Sequence, residues 1–369
     1  MPVRLSIPAA QRKRYIPSHP LAEPVPAERS NGAGTSLRFG LMNNMPDGAL
    51  DPTERQFIAL LEKASAGISV DLGFYSLPGI PRAGEAAARI AKYYSSAEIL
   101  RDGELDALIV TGREPLAPSL PEEPYWDSFT ELLEWAKSHT YATIWSCLAA
   151  HAAVLHQDGV PRVKADYKYC GIFPCARAAE HPLTDGLAMQ IAVPHSRWNG
   201  LSEERLSVCG YQILSRSAEA GVDTFVKQQD RSLFVYFQGH PEYAPATLLL
   251  EYRRDVGRFL RGEISRYPTL PTNYFSADTE AELLEFQERA TAKPTTELTA
   301  DLSGILDRAQ IEGAWHATAA QMYRNLLHFI CDRKSRELLH SRMECPANEI
   351  VPVMRRCPES TDHVAGVEP

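Results

Sequence analysis

No apolar run in the 369 residues approaches the roughly 20 needed to cross a bilayer. The N-terminal MPVRLSIPAAQRKRYIP also lacks the apolar centre of a secretory signal. The sequence therefore suggests no membrane partner, and the expected location is the cytoplasm. Cysteine is scarce and odd in number: seven residues, at 147, 170, 175, 209, 331, 345 and 357. That is no disulfide framework, and reduced thiols are the default. Cys170 and Cys175 lie five apart with no second pair at zinc-ligand spacing, so no metal is implied. Basic residues are in deficit, 38 against 47 acidic, for a formal charge of −9, and no Lys/Arg block occurs. Phosphate binding needs a concentrated basic surface, so nucleic acid is not an expected partner. Internal repeats and low-complexity tracts are absent.

What is there reads as globular: 44% hydrophobic and 23% charged residues match ordinary folded domains. The length exceeds one typical domain, which leaves room for one large domain with additions. Residues 1–35, rich in Pro, Ala and Arg, read as an N-terminal arm. LRFGLMNN from 37, SVDLGFYSL at 69–77, ALIVTG at 107–112 and YATIWS at 141–146 read as short apolar strands. Helices are predicted between them. LDPTERQFIALLEKA offers Asp51 as cap, Pro52 at the first helical position and Glu54 to close a capping box. EAAARIAKYYSSAEIL and PYWDSFTELLEWAKSH supply the next two helices. Strand–helix alternation predicts an α/β fold with a mostly parallel sheet flanked by helices. Segments from IAVPHSRW to FVYFQGHPEY predict a mixed or antiparallel extension of that sheet. PATLLLEYRRDVGRFLRG is a long helix, further helices fall near 279–291 and 315–333, and 334–369 reads as a polar tail.

Two segments carry candidate chemistry. In YATIWSCLAAHAA a β-rich run stops at Cys147 and continues as helix former. A residue at that junction sits at the C-terminal edge of a parallel sheet and at a helix N-terminus, where free N–H groups stabilise a thiolate and receive an oxyanion. Cysteine is equally a common small core residue, so the local sequence leaves both readings open. In FVYFQGHPEY a strand-like run ends at Gly239 and presents His240 and Glu242 two residues apart. On an extended chain the two side chains share one side, giving a base and its orienter, though a surface turn explains the tripeptide as well. With a thiol they complete the nucleophile, base and orienter of acyl transfer. His151 lies one helical turn below Cys147 and reads as packing; His156 reads as a surface or capping residue.

These segments recur within a larger ordered set. FGLMNNMPDGALDPTERQF, LIVTGREP, PYWDSFTELLEWAK, SCLAAHAA, PHSRW, GHPEYAPATLLLEYRRDV and PTNYF together resemble the homoserine O-succinyltransferase family over residues 36–333. The resemblance implies a class I glutamine-amidotransferase-like, flavodoxin-like fold over 36–275, with 276–333 as a C-terminal helical extension. By the same resemblance, Cys147 is the acyl-accepting nucleophile, and His240 and Glu242 are the catalytic base and its partner. Lys168 in DYKYCGIF, Ser196 in PHSRW and Arg254 in YRRDV fall at substrate-binding positions. Leu148 is the candidate backbone donor to the oxyanion.

The implied reaction is acyl transfer from acyl-CoA, succinyl-CoA or acetyl-CoA as cosubstrate, to the hydroxyl of L-homoserine, as in methionine biosynthesis, with no bound cofactor. A homodimer is implied in the same way. Serine or another hydroxy amine as acceptor, and glutamine amidohydrolysis on the shared fold, are the alternatives. Two departures bear on specificity. The family's two lysines after Met-Pro are replaced here by Asp47 and Gly48, removing positive charge. Leu116 occupies the acyl-selecting position, where an apolar side chain disfavours a second carboxylate and keeps acetyl transfer open.

Overall fold

The computed structural model describes residues 3–6, 36–102 and 105–344. Its sheet contains β1 (Val3–Ser6), β2 (Ser36–Met42), β3 (Ser69–Ser76), β4 (Ser95–Ser96), β5 (Ala107–Thr111), β6 (Ala142–Ser146), β7 (Val163–Arg177), β8 (Gln190–Gly200), β9 (Gln212–Ser217), β10 (Gly221–Gln229) and β11 (Ser232–Phe237). The spatial order is β1-β3-β2-β5-β6-β11-β10-β9-β7-β8, with β4 on β3. From β3 through β11 the neighbours are parallel. Counted along the chain, those five strands have the flavodoxin order 2-1-3-4-5. β1 and β4 also pair in parallel with β3, whereas the pairs β11 to β10, β10 to β9, β9 to β7 and β7 to β8 are antiparallel. This is the predicted mixed extension.

The helices are α1 (Leu50–Ala64), α2 (Gly84–Tyr93), α3 (Trp126–His139), α4 (Leu148–Asp158), α5 (Glu203–Val208), α6 (Thr247–Leu260), α7 (Ala277–Ala292), α8 (Thr299–Arg308) and α9 (His316–Glu344). The parallel strands are buried along nearly their whole length, as in β6, where every residue is inaccessible. One core, with Phe39, Phe57, Val70 and Ile144, receives α1 and α9 on one face of the sheet. A second, with Phe129, Trp145, Ala150 and Phe234, receives α3 and α4 on the other. Burying both faces explains why these strands read as continuous apolar runs.

Several expectations need correction. Pro52 is the third residue of α1, not the first. Asp51 does not cap α1. A 3₁₀ turn at Asp47–Ala49 leads directly into the helix, whose N-cap Ala49 has no side-chain bond. Asp51 instead pairs with Arg55 at 2.6 Å and Arg89 at 3.1 Å. Glu54 is buried and bonded to Arg89 and to the Tyr94 hydroxyl at 2.7 Å, so it closes no capping box. The second predicted helix ends early because Tyr94 is extended, and Ser95–Ser96 then pair with β3.

The first residues of the arm expected over 1–35 form β1, which pairs in parallel with β3; the rest of that segment lies outside the described residues. The polar tail expected from 334 begins instead as the last turns of α9. Lys334 reaches Asp106 at 2.7 Å and Glu337 reaches Arg231 at 2.7 Å, so its charges are paired with the body of the protein. Residues 345–369 lie outside the described residues. Among the described residues, no helix is long and apolar enough to cross a membrane.

Candidate active site

Cys147 is the single residue between β6 and α4, with φ 51° and ψ −111°. A side chain held at positive φ in a non-glycine residue is strained, and such strain collects where a group must project from a tight turn. Its N–H donates to the carbonyl of Phe237 at 2.7 Å, tying the junction to the end of β11. The side chain is half-buried and opens into a cavity of about 1390 Å³ at the carboxyl ends of the parallel strands. Ligands of open α/β sheets bind there.

Gly112, at the end of β5, backs this corner. A Cβ at residue 112 would stand 2.5 Å from the Leu148 Cβ, 2.8 Å from the Leu148 nitrogen and 2.7 Å from the Ala149 nitrogen. Only glycine lets the loop approach the first turn of α4 so closely. The loop is pinned from the other side by Asn44, whose N–H donates to Thr111 Oγ1 at 2.8 Å and whose amide donates to the Thr111 carbonyl at 2.9 Å. Gly112→Ala is therefore expected to push the loop off α4. The cost is about 1–3 kcal/mol of stability, and kcat should drop more than KM changes, read by thermal melting and steady-state kinetics together.

His240 and Glu242 are joined by a 2.8 Å bond between Nδ1 and Oε1, both side chains nearly inaccessible. The pairing does not come from strand alternation. Residues 240–243 make a turn closed by Tyr243 N–H to His240 carbonyl at 3.2 Å, with Pro241 and Glu242 as its central residues. The N–H of His240 donates to Pro194 carbonyl at 2.8 Å, and that of Gly239 to Asp223 Oδ1 at 3.2 Å. The imidazole stacks on Tyr243 at 4.2 Å between centroids. Burial alone would lower the His240 pKa, but Glu242, and then the Cys147 sulfur within hydrogen-bonding reach, raise it well above the ordinary 6.5. The Cys147 thiol, the His240 imidazole and the Glu242 carboxylate thus meet in one corner of the cavity, beside Leu148.

Lys168, Ser196 and Arg254 also come together, through two carboxylates that the sequence reading missed. Glu251 accepts from the Tyr243 hydroxyl at 2.7 Å and from Ser196 Oγ, and lies 3.7 Å from Lys168 Nζ. Asp255, one turn on, pairs with Lys168 at 3.3 Å and Arg254 at 2.8 Å. Burial opposes the Lys168 charge, but Glu251 and Asp255 outweigh it and raise its pKa. The i, i+4 spacing of Glu251 and Asp255 in LLLEYRRDV was the available signal. The result is a mixed-charge cluster suited to an ammonium and a carboxylate on one small molecule.

The two specificity candidates lie elsewhere. Asp47 is turned to Arg82, at 3.4 Å, and accepts from the N–H of Ala83 at 3.0 Å; it does not line the cavity. Arg82 also donates to the carbonyls of Asn43 and Met45, so positive charge returns to this loop from another position. Leu116 is 56% exposed and stands outside the cavity wall, its N–H bonded to Glu123 at 2.7 Å. Arg113, Glu114 and Pro115 from the same loop do line it. His151 is buried against Gln238 at 2.9 Å, and burial followed by Arg197 lowers its pKa to about 3. His156 faces Glu134 at 3.2 Å.

A separate buried trio, Cys175, His195 and Asp223, has donor atoms within 4.8 Å of one another. Arg197 Nε donates to His195 Nδ1 at 3.2 Å, which leaves the ring proton on Nε2, 3.4 Å from Asp223 Oδ1 but without a hydrogen bond to it. A protonated Nε2 has no lone pair for a metal. Asp223 is braced by the hydroxyls of Ser215 and Thr224, at 2.8 and 2.7 Å, and its other oxygen holds Gly239 and hence the His240 turn.

The family model for homoserine O-succinyltransferase matches residues 25–336. The chain belongs to the homoserine O-succinyltransferase family. It is 42% identical over 313 residues to a homoserine O-succinyltransferase of Methylorubrum extorquens, covering 85% of this chain and 91% of that one. To the homoserine O-succinyltransferase of Bradyrhizobium japonicum it is 42% identical over 320 residues, 86% of this chain and 97% of the other. Among solved structures, a glutamine amido transferase from Methylobacillus flagellatus overlaps 80% of this chain and 96% of its own at 13% identity and TM-score 0.44. The fold assignment rests on the strand order described above.

Proposed function

We propose that the protein transfers an acyl group from acyl-CoA to the hydroxyl of L-homoserine through an acyl-Cys147 intermediate. The observation that carries this reading is the Cys147, His240 and Glu242 corner, set at the strand–helix junction of a member of this family. The Cys147 sulfur attacks the thioester carbon, and the negative oxygen is received at the start of α4, with Leu148 N–H as the nearest candidate donor. His240 gives its proton to the departing CoA thiolate as the carbon–sulfur bond breaks. The homoserine hydroxyl then yields its proton to His240 and attacks the acyl carbon, and the ester leaves as Cys147 is freed. Glu242 fixes the ring orientation and supports its positive charge.

The cluster of Lys168, Ser196, Glu251, Arg254 and Asp255 beside Tyr243 suits the zwitterionic end of an amino acid. The relatives' names favour succinyl as the acyl group. Two half-reactions through one covalent form give parallel double-reciprocal lines when acyl-CoA is varied at several homoserine concentrations. Converging lines, or ammonia release from glutamine alone at a comparable rate, would replace this reading with another. Homoserine and serine run in competition identify the acceptor.

A further inference from the structure

We propose that Arg113, supported by Arg162, selects the acyl donor by receiving the free carboxylate of a dicarboxylic acyl chain. This rests on the acyl-transfer reading above and moves donor selection away from Leu116. Arg113 directly follows Gly112, the residue pressed against the first turn of α4, so its side chain starts beside the Cys147 corner. Arg113 and Arg162 both line the cavity that holds Cys147.

Their charges are unpaired. Among the described residues, several other cations of this cavity wall have a carboxylate: Arg89 has Glu54, Lys168 and Arg254 have Asp255, and Arg258 has Glu263. Neither Arg113 nor Arg162 forms such a pair there. The hydrogen bond Arg113 makes is from Nε to the carbonyl of its own neighbour Glu114, at 3.3 Å. Its Nη1 is shut off from solvent with no acceptor at all. An enclosed guanidinium donor without an acceptor is costly, and a carboxylate in the cavity supplies what is missing once the side chain turns toward it. The planar fork suits a carboxylate in a way that Leu116 does not.

The groups facing the two arginines leave that role open. Both act on the buried Tyr125 hydroxyl, and Arg162 lies within electrostatic reach of Glu123. Glu123 spends Oε1 on the N–H groups of Leu116 and Ala117, at 2.7 and 2.9 Å, and its Oε2 has no hydrogen-bond partner. His151, below Cys147, is held uncharged by burial and by the positive residues around it. Glu114 acts electrostatically on Arg254. Besides its mixed-charge cluster for an amino acid, the cavity thus offers two guanidinium groups without a carboxylate partner for an anionic acyl chain.

The test compares kcat/KM for succinyl-CoA and acetyl-CoA, with homoserine as acceptor, in the full-length protein and in Arg113→Leu and Arg113→Lys. Wild type is expected to prefer succinyl-CoA. Arg113→Leu should cut the succinyl-to-acetyl ratio roughly 10- to 100-fold, the worth of charge-assisted hydrogen bonds. Arg113→Lys should fall between. On wild type alone, free succinate should slow iodoacetamide labelling of Cys147 more than butyrate at equal concentration. A preference for acetyl-CoA, an equal loss with both donors, or equal protection by the two acids overturns the proposal. No turnover with either donor would instead count against acyl transfer itself.

Discussion

Replacing Cys147 with alanine is expected to lower kcat/KM by about 10⁴-fold or more, the scale seen when a covalent nucleophile is removed from a residue set that acts as a unit. The loss should be that complete because, among the described residues, no neighbouring thiol can stand in. Cys170 is buried, and burial pushes its thiol up to about 11 even with Lys168 beside it. Cys175 is fully enclosed among His195 and Asp223, and its thiol is raised further by burial. Both lie inside β7, not at a helix N-terminus, and the His195 imidazole beside Cys175 is kept uncharged by burial. The fold should survive the change. Alanine is no worse than cysteine at φ 51°, the N–H bond to Phe237 is made by the backbone, and the thiol is half-buried. Activity and melting temperature measured on one preparation separate the chemical loss from a structural one.

Glu242→Gln is expected to be nearly as damaging, about 10³- to 10⁴-fold in kcat, because an amide fills the space but neither holds the Nδ1–H tautomer nor supports imidazolium. Its pH signature follows from the elevated pKa of His240. Burial works to lower that value, and Glu242 is the largest influence raising it above 6.5. A group whose native pKa is raised contributes stability that is fully present below its unfolded value and is lost as pH rises through its native value. The variant should therefore melt below wild type by the widest margin near pH 6, and the gap should close toward alkaline pH. In the same variant the His240 ionisation in the kcat/KM profile should move to lower pH. A constant melting gap across pH would mean that the pair is not charged as described.

Much of the fold could be read before any coordinates, because parallel strands buried on both faces leave unmistakable apolar runs such as ALIVT and ATIWS. β7 escaped for the opposite reason. VKADYKYCGIFPCAR mixes charges, aromatics, Gly171 and Pro174, and its pairing with β8 is irregular between Lys164 and Tyr169. Its stability comes from β8, not from its own pattern. Glu54 looked like a capping residue because spacing alone cannot see that Arg89 and Tyr94, distant in sequence, will enclose it. Cys147 and the His240–Glu242 pair were legible as separate fragments, and only the fold puts the β6–α4 junction beside the 240–243 turn. Glu251, Asp255 and Arg113 were harder: charged residues on a helix or loop look solvated in sequence, and their place in the cavity wall appears only in the fold.

The central claim, that Cys147 carries the acyl group, is tested most directly by mixing the protein with succinyl-CoA in the absence of any acceptor and mapping the product by peptide mass. The account predicts one succinyl group per chain, on the peptide containing Cys147, discharged when homoserine is added. Turnover without such an adduct, or an adduct on another residue that homoserine discharges, would contradict it.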